Sequence, residues 1–219
     1  MNCKAFVICI ESIEESMQAA ERCIRSGSRS GMGVEKHFGY TPKDNPVQLM
    51  AEKNIPTKNF ENNKYSRYER CLSAFLSHRS LWEKCSEQND NYLILEHDAI
   101  FDNTIPPNAK YHNEEIVSVG APSYGKYNTP SVLGIGPLVS KPYFPGAHAY
   151  IMSPKGAKLA LEKSLEEAAP TDIFFNLTNF PNLKEFYPYP IRVKENFSTI
   201  QMETGCLAKH AYGEGYKLL

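Results

Sequence analysis

No stretch of this chain approaches the 18 or so uninterrupted apolar residues that a membrane span needs, so no transmembrane segment is expected. Charge of one sign is also missing. With 24 Lys and Arg against 25 Asp and Glu the net charge is −1, so no global field draws the chain to nucleic acid or anionic lipid. A local basic pocket for phosphate is still compatible with that balance. The six cysteines (Cys3, Cys9, Cys23, Cys71, Cys85, Cys206) lie far apart without a C-x-x-C pair. No export signal is expected either: Met1-Asn2-Cys3-Lys4 leads to only six apolar residues before Glu11, too short and too soon acidic. A cytoplasmic protein with reduced, partly buried thiols is therefore expected, in which the sequons at Asn176 and Asn196 go unread. H-x-H and H-E-x-x-H spacings are absent, which weakens a zinc hydrolase reading. The cluster Gly27 to Gly33 lacks G-K-[ST], so it reads as a loop and not as a phosphate cradle. With no repeat, low-complexity tract or linker, residues 1–219 are expected to form one domain.

What is present is an alternation of buried-strand and helix patterns. Phe6-Val7-Ile8-Cys9-Ile10 and Tyr92-Leu93-Ile94-Leu95 read as strands buried on both faces. Glu115 to Gly120, Ala147 to Met152 and Ile191-Arg192-Val193 are further strand candidates. Helices are expected over Glu14 to Arg25, from about Tyr68 to Gln88, and from Pro154 to about Glu167 with Ser153 as N-cap. A short one begins at Pro170-Thr171-Asp172. Residues 41 to 64 read as loop with short helical turns, and the tail after Ser198 has no strong pattern. The expected class is α/β with a mainly parallel central sheet flanked by helices.

The strand over residues 92–95 runs straight into Glu96-His97-Asp98. Ligands of open α/β sheets sit beyond the carboxyl ends of such strands. Carboxylates beside a dry core are costly unless something pairs them, and a bound divalent cation would do so; a solvated polar turn is the other reading. In the helix from about Tyr68, the residues Cys71, Phe75, His78, Trp82 and Cys85 share one face, which puts His78 toward the core. The Gly-, Pro- and Tyr-rich residues 121 to 145 form a connection long enough to be a functional loop or lid.

Four segments in order resemble one family. Cys71 to Trp82 resembles its "G-C-x-L-S-H-x-x-x-W", and Tyr92 to Phe101, YLILEHDAIF, resembles "L-I-L-E-D-D-A-x-F". Gly146 to Ala157 is similar to "G-T-H-A-Y-x-x-S-x-x-G-A", and Pro170-Thr171-Asp172 to "P-x-D". Together these resemble glycosyltransferase family 25, the lipopolysaccharide-type and collagen-type galactosyltransferases, over roughly residues 66 to 175.

The resemblance implies a GT-A-like nucleotide-sugar-binding fold. It implies metal-dependent inverting transfer of a sugar, often from UDP-galactose, to a hydroxyl of a glycan or other acceptor, with Mn²⁺ or Mg²⁺. Asp98 is then the direct metal ligand, with Glu96 as a second ligand or a contact to ribose hydroxyls, and His210 as a late histidine recruited to the metal. Glu96, His97, His78 and His148 are the candidate donor-binding residues, though the helical face favours a hydrogen-bonded core role for His78, and His148 reads equally as a strand histidine facing solvent or core. Asp172 is the candidate general base for the acceptor hydroxyl, its other reading being a helix cap. Two departures stand out. His97 occupies the family's middle Asp position, and Cys9-Ile10-Glu11-Ser12 replaces N-L-D-R, leaving Arg25 or Arg29 to grip the nucleotide. These departures keep open a nucleotide-sugar-binding relative weakened in catalysis. A metal-dependent hydrolase built on His78, His97, Asp98 and His148 is the remoter alternative.

Overall fold

The first apolar run forms β1 (Cys3–Cys9), and Glu14 starts α1 (Glu14–Arg29). In the computed structural model, residues 3–61, 67–105, 116–123, 125–144, 146–194, 197–201 and 217–219 are described. Glu14 and Glu15 in the first turn of α1 and Arg29 in its last complement the helix dipole. The helix runs further than its periodicity predicts, through part of the glycine cluster expected to be loop. The reason is packing: a Cβ on Gly27 would lie 2.8 Å from Val34 Cγ2 and 3.3 Å from Phe101. Only a glycine lets α1 approach its neighbours that closely. Gly31, at φ +77°, then turns the chain away.

After it comes β2 (Val34–Phe38), a strand that its polar sequence does not announce. A 3-10 turn at Pro42–Asp44 and the helices α2 (Pro46–Glu52) and α3 (Lys58–Glu61) fill the stretch expected to hold short helical turns. Then α4 (Tyr68–Ser86) leads into β3 (Asn91–Glu96) and the short β4 (Ala99–Phe101). Next are β5 (Ile116–Ser118), β6 (Gly134–Pro137), β7 (Ala149–Met152), α5 (Pro154–Glu167) and α6 (Thr171–Phe174). The chain closes with β8 (Lys184–Tyr187), β9 (Ile191–Val193), β10 (Phe197–Ser198) and β11 (Lys217–Leu218). As its sequence predicts, α5 is capped by Ser153, whose Oγ accepts the Gly156 N–H at 3.0 Å, with proline at the first helical position.

The expected α/β architecture is present. Seven strands make one sheet in the order β2-β1-β3-β7-β5-β8-β6. Pairing is parallel across β2-β1-β3 and between β5 and β8, and antiparallel where β7 meets β3 and β5 and where β6 meets β8. β9 does not join this sheet but pairs with β4. Side chains alternate through β3. Tyr92 and Ile94 join Phe75, Trp82, Tyr150 and Phe174 in the core beneath α4 to α6, while Leu93 and Leu95 join Val7, Cys23 and Ile151 beneath α1. A strand buried on both faces is what the unbroken apolar run predicts. Truncating Phe75 or Trp82, both fully buried, would cost about 3–5 kcal/mol.

Candidate active site

The direction of β7 decides what gathers at one edge of the sheet. Because β7 runs against β3, its first residues lie beside the last residues of β3, and the Glu96 N–H donates to the His148 carbonyl at 3.0 Å. α4 runs back along β3: Cys85 donates to the Asp90 and Met152 carbonyls near the start of β3, while His78 reaches Glu96 at its end. The first turns of α4 therefore overhang the carboxyl edge.

Glu96 is half-buried on the α4 face. Its Oε1 lies 3.3 Å from His78 Nε2. His78 is 2 % exposed, and its Nδ1 lies 3.0 Å from the Tyr150 hydroxyl, which also accepts the Trp82 indole N–H at 2.8 Å. Burial opposes charge on Glu96, yet the hydrogen bond with His78 Nε2, with His148 and His97 nearby, holds its carboxyl below the usual range. Both ring nitrogens of His78 are engaged inside the core. His78 thus meets the carboxyl edge through Glu96.

His97 lies just past the edge. Its Nδ1 is 3.0 Å from Ser16 Oγ, which also accepts the Ile10 N–H at 2.9 Å, and its ring stacks on Phe197 at 5.1 Å. Asp98 is buried and turns toward the α1 layer, where its charge adds to the burial that pushes the Cys23 thiol up to about 12. The two carboxylates thus leave the edge toward opposite layers. His148, also buried, packs against two glycines. A Cβ on Gly120 would stand 2.3 Å from its Nε2, and one on Gly146, at φ +127°, 2.6 Å from its Nδ1.

Asp172 sits apart from this group in the first turn of α6, half-buried, with Oδ1 accepting the Ile173 N–H at 2.9 Å. Its charge reaches Cys71 in the first turn of α4, whose thiol burial pushes up to about 12, and Lys141. Lys141 lines a cavity of about 720 Å³ with Tyr127, Ser140, Tyr143 and Leu177. Burial draws the Lys141 ammonium down, against the pull of Asp172. The cavity belongs to the Asp172 side and not to the Glu96 edge. His210 falls outside the described residues.

Arg25 and Arg29 occupy the far end of α1 from the β1–α1 turn, roughly 15 Å or more along its axis, so they do not replace the missing arginine. The arginines at the edge are Arg67 and Arg70, which the sequence pattern does not single out. Both donate to the Leu219 carbonyl, and Arg70 also to the Thr199 carbonyl. With Lys217 paired to Glu15, the β10–β11 ribbon bridges from α4 to α1 past His97. The sequence places Trp82 on the core face of its helix and Tyr150 in a strand, but it does not show their hydrogen bond, and it gives Ser16 no signal at all.

No helix among the described residues is long and apolar enough to cross a membrane. No curated protein matches the sequence. Among solved structures, mouse xyloside xylosyltransferase 1 in its apo form aligns with a TM-score of 0.42 at 10 % identity, covering 83 % of this chain and 82 % of that one. A mutant Drosophila beta-1,4-galactosyltransferase 7, in complex with manganese, UDP-Gal and xylobiose, aligns with a TM-score of 0.39 at 11 % identity, covering 95 % and 69 %. The sequence itself is more decisive. A family model described as glycosyltransferase family 25 (LPS biosynthesis protein) matches residues 10–131, more than half of the chain, and takes in the Cys71–Trp82 and Tyr92–Phe101 motifs. The chain belongs to glycosyltransferase family 25.

Proposed function

We propose that this glycosyltransferase moves a hexosyl group, galactose in the first instance, from a nucleoside diphosphate sugar such as UDP-galactose to a hydroxyl of a glycan or similar acceptor. Transfer inverts the anomeric centre and depends on Mn²⁺ or Mg²⁺. The observation that carries this reading is the placement of Glu96, His97 and Asp98 at the carboxyl end of β3, where sheets of this class take nucleotides.

Among the described residues no three His, Cys, Asp or Glu side chains form a ready-made metal cluster. A hard cation of the Mg²⁺ type takes one or two carboxylates and completes its shell with phosphate oxygens and water. Asp98 is the proposed ligand, with His210 as a further one. Glu96, facing the opposite layer, is better matched to ribose hydroxyls than to shared chelation. When bound, the cation offsets the negative charge that grows on the departing diphosphate. His97 and His148 flank Glu96 and line the donor side.

Asp172 is the proposed general base. It takes the proton of the acceptor hydroxyl as that oxygen bonds to the anomeric carbon, and the electron pair of the broken bond leaves on the diphosphate. The cavity beside Lys141 and Tyr143 adjoins this aspartate and is the proposed acceptor side.

UDP with Mn²⁺ should raise the melting temperature of the protein, and Asp98→Ala should abolish that shift. If UDP and Mn²⁺ leave the melting curve unmoved, the donor reading fails. Asp172→Asn should lower kcat about a hundredfold or more while donor affinity stays the same. An equal loss of donor affinity would remove Asp172 from the role of base.

A further inference from the structure

Trp82 sets the direction of a hydrogen-bond chain that ends on Glu96. An indole N–H can only donate, so the Tyr150 oxygen is its acceptor at 2.8 Å. Tyr150 has one proton of its own, and the imidazole Nδ1 of His78 stands 3.0 Å away to accept it. Trp82 and Tyr150 are fully buried, where a phenol proton without an acceptor would be costly. With Nδ1 accepting, the ring proton of neutral His78 sits on Nε2 and faces Glu96 Oε1 at 3.3 Å.

The fold has three separate segments for this purpose. His78 and Trp82 are one turn apart on α4 and share a face. Tyr150 on β7 is opposite Ile94 on β3, so it lies on the same sheet face as Ile94 and Glu96. Three of the sequence motifs thus meet in one chain of donors, each polarising the next.

We propose that Trp82, Tyr150 and His78 are positioning residues for the sugar transfer: they point a one-way row of N–H and O–H donors at Glu96 and hold its Oε1. Oε2, which takes no hydrogen bond among the described residues, is left for the donor's hydroxyls. This rests on the donor-site reading above. It assigns the one-turn spacing of His78 and Trp82 on α4 a task that His78 cannot perform by touching the ligand.

The tautomer is testable in the free protein by ¹⁵N NMR of labelled histidine. A pyridine-type Nδ1 and a pyrrole-type Nε2 at His78 are expected, with a mixture of tautomers in Tyr150→Phe. A protonated Nδ1 in the wild-type protein overturns the proposal. Calorimetry with UDP and Mn²⁺ reads the consequence. His78→Phe should weaken binding about tenfold or more and raise the donor KM, leaving the acceptor KM unchanged. His78→Gln, which keeps an N–H donor near Glu96, should stay within about threefold of wild type. Equal binding by the Phe variant, or equal loss in both variants, rejects the positioning role. Wild-type protein that binds no UDP, yet shows the expected tautomer, would instead sink the donor reading, and the positioning role with it.

Discussion

Glu96 and Glu185 are two carboxylates of the same sheet, and they are held in opposite ways. Glu185 on β8 is 1 % exposed and wholly engaged. Its Oε1 accepts the Val139 and Ser140 N–H groups at 2.7 and 2.9 Å, and its Oε2 accepts the Tyr189 hydroxyl at 2.8 Å. Glu96 stands half-buried at the carboxyl edge with one oxygen held by His78. The first ties down the loop that lines the Lys141 cavity. The second is steadied from behind and open in front. A carboxylate whose hydrogen-bonding capacity is consumed by the protein is structural; one with capacity to spare at a strand end is available to a ligand.

The sharpest way to break this comparison is to substitute both. Glu96→Gln removes the charge but keeps an acceptor for His78. Turnover should fall about a hundredfold or more, with the melting temperature nearly unchanged. Glu185→Ala should do the reverse, costing about 3 kcal/mol through buried N–H groups left without an acceptor, or roughly 6–12 °C in Tm. UDP affinity of the folded fraction should be unaltered. If Glu185→Ala abolishes UDP binding while Glu96→Gln only destabilises, the roles are exchanged and the comparison falls.

Smaller changes sharpen it. Gly120→Ala places a methyl against the His148 ring and should cost about 1–3 kcal/mol while weakening donor binding. Thermal melts with and without UDP separate those two effects. The smallest expected effect concerns His37, whose ring lies 2.8 Å from Ser80 Oγ and 3.4 Å from Lys84 Nζ. Burial, with Lys84 and His78, lowers its pKa to about 4, so it is neutral in the folded protein at pH values where the unfolded chain takes up a proton. Stability should therefore fall as pH drops from about 6.5 toward about 4, and His37→Gln should flatten that slope in pH-dependent melts. An unchanged slope would exclude His37 as the source.

What the sequence made legible follows the same division. The Glu96 side could be read because its parts carry strong local signals. β1 and β3 are apolar runs, α4 keeps a helical face from Cys71 to Cys85, and Ser153-Pro154 marks the start of α5. The Glu185 side could not. β6 reads Gly-Ile-Gly-Pro and is a strand because β8 pairs with it, and β8, which reads Lys-Glu-Phe-Tyr, is held between β5 and β6. β2, an edge strand of sequence Val-Glu-Lys-His-Phe, was hidden for a similar reason. At the site, Glu96, His97, His148 and Asp98 were nameable from strand-end position and motif. The links among them were not, because a hydrogen bond from Trp82 to Tyr150 joins residues 68 apart in the chain.

The reversed strand β7 has a consequence for how such a protein can diversify. With β7 turned against both its neighbours, this edge of the sheet collects the exit of β3 together with the approach to β7. That approach can lengthen, shorten or change its side chains while β1, β3 and α4 stay as they are. The segment on that side can then be rewritten without disturbing the strands and the helix that hold Glu96.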